Sequence, residues 1–341
     1  MKPRDLLTVI VIGAVIVIGG FAAADAIRGK PRTEAQPAPT TPTIPVQTTP
    51  SRLPGPQPQP EAPPGWPEGV LDGTLTLADA QTCDLRQIGL AGGRERPLAK
   101  FTGCQMWAPP TGARVAYGLG PSSADGLQPF RIADLNAPNR DLGGYRALFG
   151  VIVWSLDGQH IAWCGRRRTG FDLQVGGPAT RLPRCPVAYT RDDEVAYAVG
   201  NKILVGDRTV FTADGGITYA RFGSDGSLAV VVDGDRIERW DGSSLATTTK
   251  LTPSFQGITP ILRADNCAAL LPLSQVVQLL DLGCKPGMTN RSFPGQTAAW
   301  SPDGEWVATS NGSEVDFHRV VGERREITWP VGAEALAWRP E

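Results

Sequence analysis

One short phrase recurs along this chain: an apolar strand end, then Ser-x-Asp-Gly, then a second apolar run. It reads VWSLDGQHIAW from Val153 to Trp163 and AWSPDGEWVA from Ala299 to Ala308, with a blunter copy, RFGSDGSLAVV, from Arg221 to Val231. Asp-Gly between two apolar runs marks a tight turn, because glycine supplies positive φ and aspartate tolerates the turn backbone. Pro302, one residue before Asp303, pre-sets φ for the first corner of its turn. Each phrase therefore predicts a β-hairpin, and its repetition constrains the fold more than any other feature does.

Looser copies fill the gaps: MWAPPTGARVAY from Met106, AYTRDDEVAY from Ala188, LRADNCAALL from Leu262 and the terminal AWRPE from Ala337. Aligned, they place the residue before the turn at Trp107, Trp154, Tyr189, Phe222, Leu262, Trp300 and Trp338, at intervals of 47, 35, 33, 40, 38 and 38 residues. That period is close to one four-stranded propeller blade, ~40 to 45 residues in WD-type repeats. Two further strand-like runs follow each hairpin, as in VDFHRV from Val315 and EITW from Glu326, where a helical solenoid would need helical periodicity. The last copy stops three residues after Trp338, so its blade needs strands from elsewhere. GTLTL from Gly73, DLRQIGL from Asp84 and RPLAK from Arg96 supply them, and the pairing closes the ring without an open edge. The expected fold is all-β: a seven-bladed β-propeller over residues 69–341. Six blades is the alternative if the copy at Leu262 or Tyr189 is not a blade of its own.

The phrase Trp300-Ser301-Pro302-Asp303-Gly304 resembles the WD40-like propeller repeat of TolB and of tricorn-type peptidase propellers. The resemblance implies structural roles: aromatics at Trp154, Phe222 and Trp300 packing between blades, and turns made by Asp157-Gly158, Asp225-Gly226 and Asp303-Gly304. It implies no particular ligand.

Residues 6–24, LLTVIVIGAVIVIGGFAAA, carry no charge and rise ~28 Å as a helix, about the hydrocarbon thickness of a bilayer. They are expected to anchor the chain in a membrane behind a short cytoplasmic tail, residues 1–5. A cleaved signal peptide is the alternative, since Lys2 and Arg4 precede the run and Ala22-Ala23-Ala24 offers a cleavage site. Arg28, Lys30 and Arg32 follow the run, so charge bias leaves the orientation open. Residues 25–68 read as a disordered stalk. Its Pro-rich part, 31–68, holds 13 of the 31 prolines and favours extended polyproline geometry reaching on the order of 100 Å.

Six cysteines show no Cys-x-x-Cys spacing. Cys83 to Cys104 and Cys164 to Cys185 are both 21 residues apart, and each pair falls on one end of two adjacent blades. Cys267 opens a second strand and Cys284 ends a third, which antiparallel pairing brings opposite one another. Three disulfides are expected from these pairs, free thiols being the alternative. Disulfides persist in oxidising compartments, so the propeller is expected outside the cytoplasm.

Little of the sequence points to chemistry. His160 and His318 are the two histidines, and neither has a His or Cys at ligand spacing, so neither a metal nor another cofactor is expected. No Gly-x-Ser-x-Gly elbow or phosphate-binding glycine loop is present, and no catalytic residue stands out. Arg166-Arg167-Arg168, after Trp163-Cys164-Gly165, places three guanidinium groups on one loop, suited to carboxylate or phosphate groups of an acidic partner. A net charge of −1 gives no support to nucleic-acid binding. The expected role is a membrane-tethered, non-enzymatic platform for a protein or cell-envelope component. A sensor or accessory subunit of an envelope signalling or assembly complex is one alternative, and a hydrolase or lyase with its site in the channel is the other.

Overall fold

A computed structural model describes residues 71–92, 94–100, 103–111, 113–120, 123–137, 141–148, 152–242, 244–251, 259–284 and 288–340. The expected tail, anchor and stalk, residues 1–68, lie outside the described residues. No helix among the described residues is long and apolar enough to cross a membrane.

The described strands form seven four-stranded antiparallel sheets, so the ring has seven blades and not six. Blade 1 takes its innermost strand, Ala333–Arg339, from the C-terminus, followed outward by Thr74–Asp79, Leu85–Gly89 and Arg94–Ala99. The closing register pairs Leu75 with Trp338 and Leu77 with Leu336, which satisfies backbone groups of both strands. Blades 2 to 7 follow in chain order over residues 106–148, 152–182, 188–212, 217–250, 261–294 and 297–329. The two weakest sequence copies do form blades. Their innermost strands, Ala188–Tyr189 and Ile261–Leu262, are only two residues long, which is why their apolar signal is faint.

The Ser-x-Asp-Gly phrase builds one turn repeatedly. In blade 7, Ser301 Oγ accepts the Trp306 N–H at 2.8 Å and donates to Asp303 Oδ1 at 2.5 Å. Asp303 Oδ1 also accepts the Glu305 N–H at 2.9 Å. Ser155 and Asp157 do the same in blade 3, where Ser155 Oγ accepts the His160 N–H at 2.9 Å. Asp225 accepts the Ser227 N–H in blade 5. The fourth turn position is left-handed in five of the copies: Gly158 (φ 69°), Gly226 (83°) and Gly304 (69°), with Asp193 (58°) and Asn266 (54°) in two looser ones. Glycine, aspartate and asparagine are the residues that adopt this conformation most readily.

Apolar side chains from facing blades fill the seams. Six clusters of buried residues occupy the seams 1–2, 2–3, 4–5, 5–6, 6–7 and 7–1. Trp154, Phe222 and Trp300 lie in or against three of them. Indole N–H groups add hydrogen bonds between neighbouring innermost strands, Trp154 to the Trp107 carbonyl and Trp300 to the Ile261 carbonyl, both at 2.9 Å.

Among the described residues the seam between blades 3 and 4 has no such apolar cluster. It holds the Cys164–Cys185 disulfide and a polar trio instead. The other two bridges also form as expected, Cys83–Cys104 across the seam 1–2 and Cys267–Cys284 within blade 6. The blade 6 cysteines sit just beyond the strands Ala268–Pro272 and Val276–Asp281, rather than inside them.

Candidate functional site

An antiparallel blade puts the Ser-x-Asp-Gly turns, with the connections from third to fourth strands, at one end of the ring. The connections from second to third strands and those between blades lie at the other. Arg166–Arg168 forms a single 3₁₀ turn at this second end, between His160–Cys164 and Gly170–Gln174 of blade 3. Gly165 N–H donates to the Thr169 carbonyl at 2.7 Å and closes the loop at its base, beside the Cys164–Cys185 bridge. All three arginines are exposed. Arg167 and Arg168 both hold φ of 57°, a left-handed conformation that costs roughly 1–2 kcal/mol per non-glycine residue. Strain of this kind concentrates at functional loops. Asp125 of blade 2 is 3.9 Å from Arg166 Nε, but the arginine side chain is 73% exposed, so this pair holds it only weakly.

The same end of blade 5 carries the opposite charge. Arg236 Nε meets Glu238 Oε1 at 2.8 Å, and its terminal nitrogens meet Asp235 at 3.4 Å, Asp233 at 3.8 Å and Asp214. One guanidinium thus faces four carboxylates, three of them substantially exposed. Asp233 also accepts the Gly216 N–H at 2.7 Å, which fastens the loop entering blade 5 to the loop within it. One end of the ring therefore presents a basic loop on blade 3 and an acidic cluster on blade 5.

The polar trio at the seam 3–4 escaped the sequence reading, because its members lie on three separate strands. Tyr189 Oη donates to Asp172 Oδ1 at 2.5 Å, and His160 Nδ1 lies 3.7 Å from the same oxygen, too far for a hydrogen bond. Burial, then the Asp172 carboxylate, push the Tyr189 phenol up, so it stays a proton donor. Tyr189 is buried, and its bond to Asp172 ties blade 4 to blade 3.

His318 lies in the third strand of blade 7, inside the outer half of the blade. It is buried, with Nε2 3.1 Å from Thr309 Oγ1, Nδ1 3.4 Å from Glu326 Oε1, and its ring stacked on Phe293 at 4.4 Å. Burial lowers its pKa despite Glu326 and Asp316 nearby. No group of three His, Cys, Asp or Glu side chains among the described residues is placed to hold a metal. Asp157, Asp225 and Asp303 are occupied by their turns.

No family model matches the chain, and no curated relative matches it. Solved structures do. The Cps50 (Swd1) β-propeller domain of Myceliophteria thermophila aligns over 71% of this chain and 91% of its own, at 15% identity and a TM-score of 0.50. TolB from Acinetobacter baumannii aligns over 79% of this chain and 67% of its own, at 17% identity and a TM-score of 0.47. The chain is a seven-bladed β-propeller, closed by its C-terminal strand and stapled by three disulfides. At these identities the likeness is one of fold.

Proposed function

We propose that the protein is a membrane-tethered, extracytoplasmic propeller that acts as a non-enzymatic interaction platform for a protein or cell-envelope component. The observation that carries this reading is the charge division of one rigid end, with Arg166–Arg168 on blade 3 and Asp214, Asp233 and Asp235 on blade 5. A surface with separated poles orients a complementary partner and raises its association rate, more than it adds raw affinity. Ring closure and the bridge at the base of the arginine loop hold the poles at constant separation, which lowers the ordering cost of binding. Three disulfides support a location in an oxidising compartment, and the apolar run at residues 6–24 supports tethering.

The test is in-cell crosslinking of the full-length protein, beside an R166A/R167A/R168A variant. The expected result is one abundant envelope partner, crosslinked at the loop end, with its yield falling several-fold in the variant. An unchanged partner set, or crosslinks confined to the turn end, would remove this reading.

A further inference from the structure

The turn end holds a second basic feature, built from two blades and invisible as a motif. Arg291, Ser292 and Phe293, from the outermost strand of blade 6, face His318 and Arg319 from the third strand of blade 7. Arg324 and Arg325, from the connection to the fourth strand, complete the lining of a cavity of about 270 Å³. Four guanidinium groups therefore converge on a space slightly below the ~300 to 1,000 Å³ of drug-sized ligand sites. No carboxylate lines it. Glu305 is engaged by Arg319 at 3.2 Å and Glu326 by His318 at 3.4 Å, and the exposed Glu323 is not part of the lining.

Arg291 Nε donates to Thr289 Oγ1 at 3.3 Å and a terminal nitrogen of Arg319 to Glu305, so these two guanidinium groups are only partly spent on the fold. Arg324 and Arg325 are exposed and have no carboxylate within ion-pair distance among the described residues. Arg319 Nε is buried and meets no acceptor among them. Such a donor carries the full desolvation penalty of the group unless something accepts from it. The stacked rings of Phe293 and His318 supply the aromatic part of the lining.

We propose that this cavity is a binding site for a phosphate ester group. A phosphate offers three acceptor oxygens and up to two charges, enough to engage more than one guanidinium fork, whereas a single carboxylate matches one. The volume admits the phosphate and a small attached group, as on a phosphorylated sugar, an anionic polymer unit or a lipid headgroup. The site lies at the opposite end of the ring from Arg166–Arg168 and does not depend on that loop.

The test is calorimetric titration of the full-length protein in neutral micelles with inorganic phosphate, glycerol 3-phosphate and a short-chain phosphatidic acid. The expected result is saturable binding with a dissociation constant of ~1 mM or tighter. R324A/R325A should weaken it by on the order of a hundredfold, for two lost charge-assisted hydrogen bonds, with an unchanged melting temperature. R166A/R167A/R168A should bind like the wild type. Binding of the soluble esters identifies a free or polymer phosphate, and binding of phosphatidic acid alone identifies a lipid headgroup; either supports the site if R324A/R325A weakens it to that extent. Absence of saturable binding by all three, or unweakened binding by a folded R324A/R325A protein, overturns the proposal.

Discussion

The indole N–H of Trp338 donates to the carbonyl of Asp72 at 2.9 Å, across 266 residues of chain. Trp338 is buried, and its ring meets Phe317 edge-on with centroids 5.4 Å apart. This bond locks the C-terminal strand of blade 1 against the segment that leads into the first N-terminal strand. Trp338→Phe keeps most of the apolar contact and leaves the Asp72 carbonyl without its donor. The expected loss is about 1–3 kcal/mol in urea unfolding, with the seven-bladed fold retained by circular dichroism.

Cys83–Cys104 and Cys164–Cys185 both span 21 residues and both join adjacent blades, so chain entropy assigns them the same stabilisation, about 3 kcal/mol. Their seams differ. Seam 1–2 keeps an apolar cluster with Leu85, Val115 and Leu135, whereas seam 3–4 relies on Tyr189, Asp172 and His160. C164S/C185S should therefore lower the unfolding free energy more than C83S/C104S. Equal losses in parallel denaturant titrations would show that the seam chemistry is irrelevant.

The left-handed turn position separates three substitutions. Gly304→Ala should destabilise by about 1 kcal/mol, since φ is 69° and the new Cβ would press on the Arg263 side chain. Asp193→Gly should stay within about 0.5 kcal/mol of the wild type, because relief of φ 58° offsets the added freedom of the unfolded chain. Asn266→Gly should cost about 1–3 kcal/mol, because Asn266 Nδ2 is buried and donates to the Arg221 and Ser227 carbonyls at 3.1 and 3.3 Å. Thermal melts of the three proteins rank them directly.

His318 sets a pH dependence. Burial lowers its pKa below the ordinary 6.5, the Arg324 charge acts in the same direction, and Glu326 and Asp316 oppose both. Between the lowered folded value and 6.5 the unfolded chain binds more protons than the folded one, so stability rises with pH through that window. The contribution is complete above the unfolded pKa and is lost as pH falls below it. His318→Gln should flatten the difference in unfolding free energy between pH 7 and pH 5 relative to the wild type. An identical slope in both proteins would show that His318 is not the titrating group.

The parts of the fold legible in the sequence are those whose physics is local. Ser155-x-Asp157-Gly158 and Ser301-x-Asp303-Gly304 carry their own hydrogen bonds and their own left-handed residue, so each turn can be read within four positions. The pairings of the six cysteines were readable because a blade repeats at near-constant length, which turns a sequence interval into a position on one end of the ring. The charge of Arg166–Arg168 was equally plain, but its left-handed backbone at Arg167 and Arg168 was not.

Sequence alone thus determined the hairpins, the blade period, the bridges and the strand exchange that closes the ring, because turns and periods depend on neighbours along the chain. Tertiary structure decided that there are seven blades, that Trp338 reaches Asp72, and that seam 3–4 is polar while the other six are apolar. It also brought Arg291 of blade 6 to Arg319, Arg324 and Arg325 of blade 7 around one cavity. These are contacts between facing sheets, set by the lateral packing of one blade on the next, and no residue spacing along a single strand encodes which side chain its neighbour will present.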